Sequence, residues 1–289
     1  MKQPQWITVG AAAILAIAIF VFGRTVPDKK MIAQEAHSEG DGHQHDDAAG
    51  APITIDSIMV VAKNQLNPEQ VTRLTMLENS ISRGDVKNQQ LKVYHQLSHF
   101  WRDSIGFFQP YAWYEAESAR LENSEKTLTF AARLFLENIQ GEPNPSLRTW
   151  AALQAKDLLE RSLKINPDND SSKIGIGACY IFGGISAAPM EGISKITEVV
   201  GRDSVNAYAL ITLAKGSMIS GQLDRAITRL LTVNRHHPDN VEAIIMLADV
   251  NERMKKKDVA IGWYKKSLEY ISRPQARADI EERIKELSK

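Results

Sequence analysis

The chain has 289 residues, of which 43% are hydrophobic and 24% are charged, as in an ordinary globular protein. Its 35 basic and 35 acidic side chains cancel, so it lacks the basic excess with which general nucleic-acid-binding proteins offset phosphate charge. The single cysteine, Cys179, excludes an intramolecular disulfide framework and a cysteine-cluster zinc site. Composition thus indicates a chain with a sizeable core and no general affinity for nucleic acid.

An apolar run lies near the amino terminus. Residues 1–5 form a short tail, and residues 6–23 are 18 consecutive uncharged residues. That length just suffices for a helix to cross a bilayer. A cleaved signal peptide is the alternative, but no small-residue cleavage pattern comes promptly after Gly23. We therefore expect residues 6–23 to form a single-pass transmembrane anchor.

The charges that flank this run leave its orientation open. Lys2 precedes it, while Arg24, Lys29 and Lys30 come after it. Counting positive charge weakly favours a cytoplasmic position for the rest of the chain. An anchor with so short a tail, however, commonly exports the carboxyl-terminal part of its chain. The part of the chain after the anchor is therefore expected on either the cytoplasmic or the opposite side of the membrane.

Residues 24–52 are polar, rich in small residues and without apolar periodicity, which predicts a flexible tether. The tether contains His37, His43 and His45 among several aspartates, and imidazole and carboxylate groups are ligands for zinc, copper or nickel. No predicted scaffold holds these side chains together, and closing the chain around a metal costs conformational entropy. We interpret the tether as a solvated linker and keep metal handling through residues 37–47 as the alternative function.

Two consecutive stretches of 34 residues, 207–240 and 241–274, run in the same register. The positions that define the register are Leu213, Ala214, Gly221, Ala226, Leu230 and Pro238 in the first stretch, and Leu247, Ala248, Ala260, Tyr264 and Leu268 in the second. This pattern resembles the tetratricopeptide repeat family, in the form of a bacterial membrane-anchored protein. The resemblance implies pairs of antiparallel helices that stack to bury one continuous core.

The register extends backwards over less regular units, so the resemblance covers residues 91–274. Its units are 91–124, 125–169, 170–206, 207–240 and 241–274. We expect capping helices over residues 53–90 at one end and over 275–289 at the other. The predicted fold class is therefore all-α: a right-handed α-solenoid of about five repeat-like helix pairs with amino- and carboxyl-terminal capping helices, plus one amino-terminal transmembrane helix.

Two motifs that suggest nucleotide or metal binding are better explained by structural roles. The glycine-rich stretch 175–184 has Tyr180 where a dinucleotide fingerprint needs glycine, and the repeat register accounts for Gly177 at a helix crossing. His95 and His99 lie four apart on one predicted helix, but no third ligand is near in the sequence. Nothing resembles a nucleophile elbow, a phosphate loop or a kinase signature. We expect no enzyme activity, no cofactor and no small-molecule substrate.

The resemblance implies that function lies on the concave face, which first-helix side chains line. The predicted partner-binding residues are Phe130, Arg133, Ile174, Ala178, Ile181, Phe182, Tyr208, Ile211, Lys215, Met218, Ile245 and Asp249, with Glu242 and Arg253 toward one end. An apolar strip with charged ends is typical of a groove that binds a peptide or a helix. Alternatively, the tether, the capping helices or inserted loops cover it.

Some members of the family bind acidic peptide carboxyl termini with a basic and asparagine clamp on this face. Here Ala178 and Asp249 stand beside Arg133 and Lys215, so the clamp is not reproduced. The predicted function is a membrane-anchored, non-catalytic scaffold or adaptor whose partner is a protein or peptide. The resemblance implies the bacterial inner membrane, with the soluble domain on the cytoplasmic or the periplasmic side.

Overall fold

The computed structural model describes residues 53–83, 87–186 and 189–289. The apolar run 6–23 and the histidines of the tether lie outside these ranges, so the predicted anchor and metal ligands stay predictions. Among the described residues, no helix has both the length and the apolar character needed to span a bilayer. The secondary structure in these ranges is helical and contains no strand. The all-α fold class is therefore confirmed for the described part of the chain.

Thirteen α-helices and one π-helical segment make up the described ranges. They are α1 (Ile55–Lys63), α2 (Pro68–Arg83), α3 (Lys87–His99), the π-helical segment Phe100–Ile105, α4 (Phe108–Glu122), α5 (Glu125–Ile139), α6 (Pro145–Ile165), α7 (Asp170–Phe182), α8 (Met190–Arg202), α9 (Ala207–Ile219), α10 (Leu223–His236), α11 (Val241–Arg253), α12 (Lys257–Ser267) and α13 (Pro274–Leu287).

Helices α3 to α12 form five consecutive hairpins, each made of a first and a second helix. The second helix of each hairpin also packs against the first helix of the next, and the first helices α5, α7 and α9 contact one another in turn. Short connections between packed helices make each pair antiparallel. This is the stacked array of helix pairs that the repeat pattern predicts, while its handedness stays a prediction.

Asparagine begins three of the first helices. The Oδ1 atoms of Asn169, Asn206 and Asn240 accept hydrogen bonds from backbone N–H groups in the first turns of α7, α9 and α11, at 2.8, 3.0 and 2.9 Å. Each bond satisfies a donor that the helix itself cannot pair. These three caps therefore set where the hairpins α7–α8, α9–α10 and α11–α12 start.

Small residues lie where the helices of a pair cross. Ala214 and Ala226 in one pair, and Ala248 and Ala260 in the next, have no exposed surface. In the pair α7–α8 the crossing is closer still, because a Cβ atom at Gly177 would lie 2.8 Å from the backbone oxygen of Gly192 and would overlap the side chain of Ile196. The crossing distance of these hairpins is thus limited by backbone and Cβ atoms.

The amino-terminal end has a different core. Helix α1 packs on α4 and α2 packs on α3, and the buried centre contains Leu97, Phe100, Trp101 and Tyr114. Phe100 and Trp101 lie in the π-helical segment and meet edge to face, with ring centroids 5.4 Å apart. At the other end α13 packs on α12 and pairs with α11 through Arg283 and Glu252.

Candidate binding groove

Two adjoining cavities lie along the first helices of the hairpins. The larger has a volume of about 590 Å³ and the smaller about 300 Å³. Gln140, Phe182 and Lys215 line both cavities, so we treat them as one surface and call it the groove. Helices α7 and α9 supply most of its side chains.

The larger cavity has an apolar lining. Ile139 and Met246 are buried, with 1% and 7% of their surface exposed. Ile181, Phe182 and Met218 are half-buried and line the same cavity. Ile219 projects at its edge with 69% of its surface exposed. When another apolar group covers surface of this kind, the surface is removed from water and the free energy falls.

Lys215 connects three hairpins across the groove. Its Nζ atom donates to Oε1 of Gln140 at 3.1 Å, just beyond the end of α5, and lies 2.8 Å from Oε1 of Glu242 on α11. The lysine side chain is 27% exposed and the glutamate side chain 54%. The positive charge of Lys215 is therefore paired with the carboxylate of Glu242 within the protein.

The smaller cavity is lined by Ala178, Ile211 and Thr212 and by the ring of Tyr208. Loss of hydration raises the pKa of the Tyr208 hydroxyl above its ordinary value, although 43% of the residue surface is exposed. At neutral pH the phenol is therefore a neutral group that can donate and accept a hydrogen bond. This cavity combines an apolar wall with polar groups at its edge.

The structure brings together seven of the twelve predicted partner-binding residues. Those that line the groove are Ala178, Ile181, Phe182, Tyr208, Ile211, Lys215 and Met218. Glu242 and Arg253, which the sequence placed toward one end, line it too. Their shared position follows from the repeat register, while their part in binding stays a prediction.

The other five predicted residues lie outside the two cavities. Phe130 is 56% exposed on α5, and Arg133 beside it pairs with Glu137 at 2.7 Å. Asp249 accepts a 2.6 Å hydrogen bond from the Tyr264 hydroxyl. Ile245 packs on the cluster that holds Tyr264. None of these residues contributes to the wall of the groove.

Ile174 requires a correction. We predicted it on the open face, but only 1% of its surface is exposed, and it packs with Ile196, Val199, Ala209 and Leu213. The reason is that α8 and α9 close over this turn of α7. Ile174 therefore belongs to the core between two hairpins.

Sequence reasoning missed several residues of the groove. Ile139 and Gln140 lie at and just beyond the end of α5, and Arg148 lies in α6, a second helix. Met246 was missed on α11, although the register contains a signal for it. Thr212 and Met246 occupy the same position in consecutive 34-residue stretches, and both line the groove.

The described residues contain no cluster of three histidine, cysteine or acidic side chains that could hold a metal ion. His99 Nδ1 lies 3.1 Å from Asp103 Oδ2, and His95 Nε2 lies 3.4 Å from the Ser118 hydroxyl. Cys179 is fully buried, and burial raises the pKa of its thiol to about 12. A protonated, inaccessible thiol is a poor nucleophile.

Comparisons with known proteins show no matching family model and no matching curated protein. Solved structures of MamA are similar to part of the chain. The crystal structure of MamA is 15% identical and covers 58% of this chain and 91% of that one, with a TM-score of 0.41. MamA 41-end from Desulfovibrio magneticus RS-1 is 19% identical and covers 65% and 96%, also at 0.41. TM-scores this low support no conclusion about the function of this chain.

Proposed function

We propose that this protein is a non-catalytic scaffold that binds a protein or peptide partner in the groove and is held at a membrane by residues 6–23. The observation that carries the binding proposal is the larger cavity, in which half-buried apolar side chains from α7 and α9 surround a buried apolar floor. Its volume of about 590 Å³ falls within the roughly 300–1,000 Å³ of typical ligand sites.

Helix packing supports this proposal. The groove side chains Ile181, Phe182 and Met218 are only half-buried, whereas Ala214 and Leu230 in the neighbouring core are completely buried. The hairpins thus have a core without needing the groove to be filled. A partner segment that covers these side chains would gain apolar burial without disturbing the stack.

Replacement of Met218 and Ile219 by aspartate tests the binding proposal. Both residues line the larger cavity near the end of α9, and Ile219 is 69% exposed, so the double variant should fold. A photocrosslinker at Ile181 in the full chain should capture a discrete partner from cells of the source organism. The double aspartate variant should lose this product, because desolvating two carboxylates against apolar surface opposes docking.

Met190→Asp is the matched control, since Met190 is 65% exposed on α8 and does not line the groove. Its crosslinked product should be unchanged, and far-ultraviolet circular dichroism should show equal helicity for all three chains. A product that survives in the Met218 and Ile219 double variant would contradict binding in the groove.

Fractionation of cells tests the anchor separately. The full chain should remain with membranes after a high-salt wash, whereas a chain that lacks residues 1–23 should be released. The physical reason is that 18 uncharged apolar residues bind the bilayer core far more strongly than any salt-sensitive surface contact. A truncated chain that resists salt as well as the full chain would contradict this anchor.

A further inference from the structure

The larger cavity carries more positive charge than the described part of the chain neutralises. Arg148 on α6 and Arg253 at the end of α11 both line it. Nη1 of Arg148 donates to the backbone oxygen of Glu142 at 3.4 Å, which is long for a hydrogen bond. Arg253 is exposed, and its guanidinium has neither a hydrogen bond nor an ion pair among the described residues.

Some arginines on other surfaces of the same stack are paired with carboxylates, whereas Arg235 on α10 has no side-chain partner among the described residues. Arg133 on α5 lies 2.7 Å from Glu137, and Arg120 on α4 lies 2.8 Å from Asp157. Within the groove itself, Lys215 is already matched by Glu242. Arg148 and Arg253 therefore line the apolar cavity without a carboxylate partner among the described residues, and a bound molecule would meet both charges.

We propose that the partner segment is an apolar peptide flanked by acidic side chains. Its apolar residues cover Ile181, Phe182 and Met218, and its carboxylates pair with Arg148 and Arg253. This inference rests on the proposed function, because it specifies the chemistry of the segment that the same groove binds. A guanidinium group pairs with a carboxylate through two parallel hydrogen bonds, which makes the contact directional as well as electrostatic.

The two kinds of contact have separate consequences. Apolar burial in the cavity contributes most of the affinity, since its lining is the part that loses water on binding. Arg148 is half-buried and Arg253 is exposed, and ion pairs at such solvated positions are worth little energy and chiefly determine orientation and the choice of partner. Reversing their charge should thus change which segments bind more than whether any segment binds.

Selection from a displayed peptide library tests this inference. The probe is a random library of peptides of about 12 residues, roughly three helical turns, fused at both ends to a carrier so that no terminal carboxylate is free. The purified full chain should select peptides in which Asp or Glu flanks apolar residues. The double variant Arg148→Glu with Arg253→Glu should bind these peptides about threefold to tenfold more weakly. It should select peptides with Lys or Arg in their place.

Arg235→Glu is the matched control, because Arg235 on α10 is exposed, lies outside both cavities and, like Arg253, has no ion pair among the described residues. It should select the same acidic peptides as the unaltered chain. The chain could instead select apolar peptides that lack acidic residues and that no longer bind to the Met218 and Ile219 double aspartate variant. That result would overturn the present inference and leave the proposed function standing. Peptides whose binding depends on neither pair of residues would overturn both.

A fatty acid shares the combination of an apolar body and a carboxylate, so decanoate serves as a further probe. Under this inference decanoate displaces the selected peptides only weakly, because it engages a single arginine. Saturable decanoate binding, together with failure of the Arg148 and Arg253 double variant to select basic peptides, would assign the site to a fatty acid and overturn the inference.

Discussion

The hairpin α3–α4 and the hairpins from α7 to α12 bury their apolar faces in different ways. In α7–α12 the helices cross at glycine and alanine, including Gly177 against Gly192 and Ala214 near Ala226. In α3–α4 and the adjoining π-helical segment, the centre is made of large side chains such as Phe100 and Trp101. Both centres are fully buried, so burial alone does not distinguish them.

The contrast shows what makes a repeat recognisable. Where two helices meet at small residues, the short distance between their backbones permits few residue types. The same residue types must therefore recur at the same positions of each unit. Where aromatic rings fill the space, many combinations of shape achieve the same packing. The aromatic hairpin therefore has an irregular sequence and an irregular π-helical turn, while the small-residue hairpins α9–α10 and α11–α12 keep a 34-residue register.

The largest effect expected from this contrast is at Trp101. Trp101→Ala should lower the free energy of unfolding by about 3–5 kcal/mol, because it leaves a cavity in the aromatic centre. The indole Nε1 of Trp101 is buried without a hydrogen-bond partner in the described structure. Trp101→Phe should therefore cost much less, since it also removes an unpaired donor. Urea unfolding followed by circular dichroism measures both, and equal losses would contradict the difference.

A smaller loss is expected at the glycine crossing. Gly177→Ala should destabilise the protein by about 1–3 kcal/mol, because the added methyl group would overlap Ile196 and approach the Gly192 backbone oxygen. Gly262→Ala is the control on α12, where a Cβ atom would have nothing within 4 Å. That change should stabilise the protein by up to about 1 kcal/mol through helix propensity. Opposite signs in thermal unfolding are expected, and equal signs would argue against crossing distance as the cause.

Asparagine caps begin the first helices α7, α9 and α11 of the regular hairpins, and Asn67 and Asn144 cap α2 and α6 in the same way. Asn240→Ala should lower stability by about 1 kcal/mol, because the Ala243 N–H would lose its 2.9 Å hydrogen bond. Asn240→Asp keeps an accepting oxygen and should cost only a few tenths of a kcal/mol on the same scale. Comparable losses in both variants, measured by urea unfolding, would show that the cap is not the cause.

The smallest effect concerns acid stability at the end of the regular hairpins. Hydrogen bonds from Arg283 lower the pKa of Glu252, with Tyr264 adding another. Because the pKa of Glu252 is lower in the folded protein, its ion pair with Arg283 stabilises the fold at pH values above the unfolded pKa of about 4.3. The stabilisation is lost as the pH falls through the folded pKa. The effect should stay below about 1 kcal/mol, because the Arg283 side chain is 44% exposed.

Glu252→Gln should accordingly reduce the difference in unfolding free energy between pH 7 and pH 3. The exposed Glu269 provides the control, and Glu269→Gln should leave that difference unchanged. Greater acid sensitivity in Glu252→Gln than in the unaltered chain would contradict the assigned sign.

Local sequence signals predicted the regular part of the fold well. Asn169 and Asn240 come two residues after Pro167 and Pro238 and cap the next helices, because a side-chain oxygen can satisfy a backbone donor three residues away. Ala226 and Ala260 recur at fixed spacing because only small residues fit where helices meet. These signals require no knowledge of distant contacts.

The groove was predicted only in part, because its wall combines neighbouring hairpins. Seven of the predicted residues line it, since they share a face of α7 or α9. The hydrophobic period of a helix does not show which of its sides a neighbouring helix covers. For this reason Ile174, in a less regular unit, was predicted on the open face although it is buried. Arg148 was missed because a second helix reaches the groove beyond the turn after α5.

The sequence by itself determined the helical hairpins and the small-residue crossings, because each depends on residues a few positions apart on one or two helices. Only the tertiary structure decided which apolar side chains stay half-exposed and which cations lack a partner. Ile181 and Ile174 lie on the same helix, yet one lines the groove and the other is buried by α8 and α9. Exposure and charge pairing depend on the packing of distant segments, which local spacing does not specify.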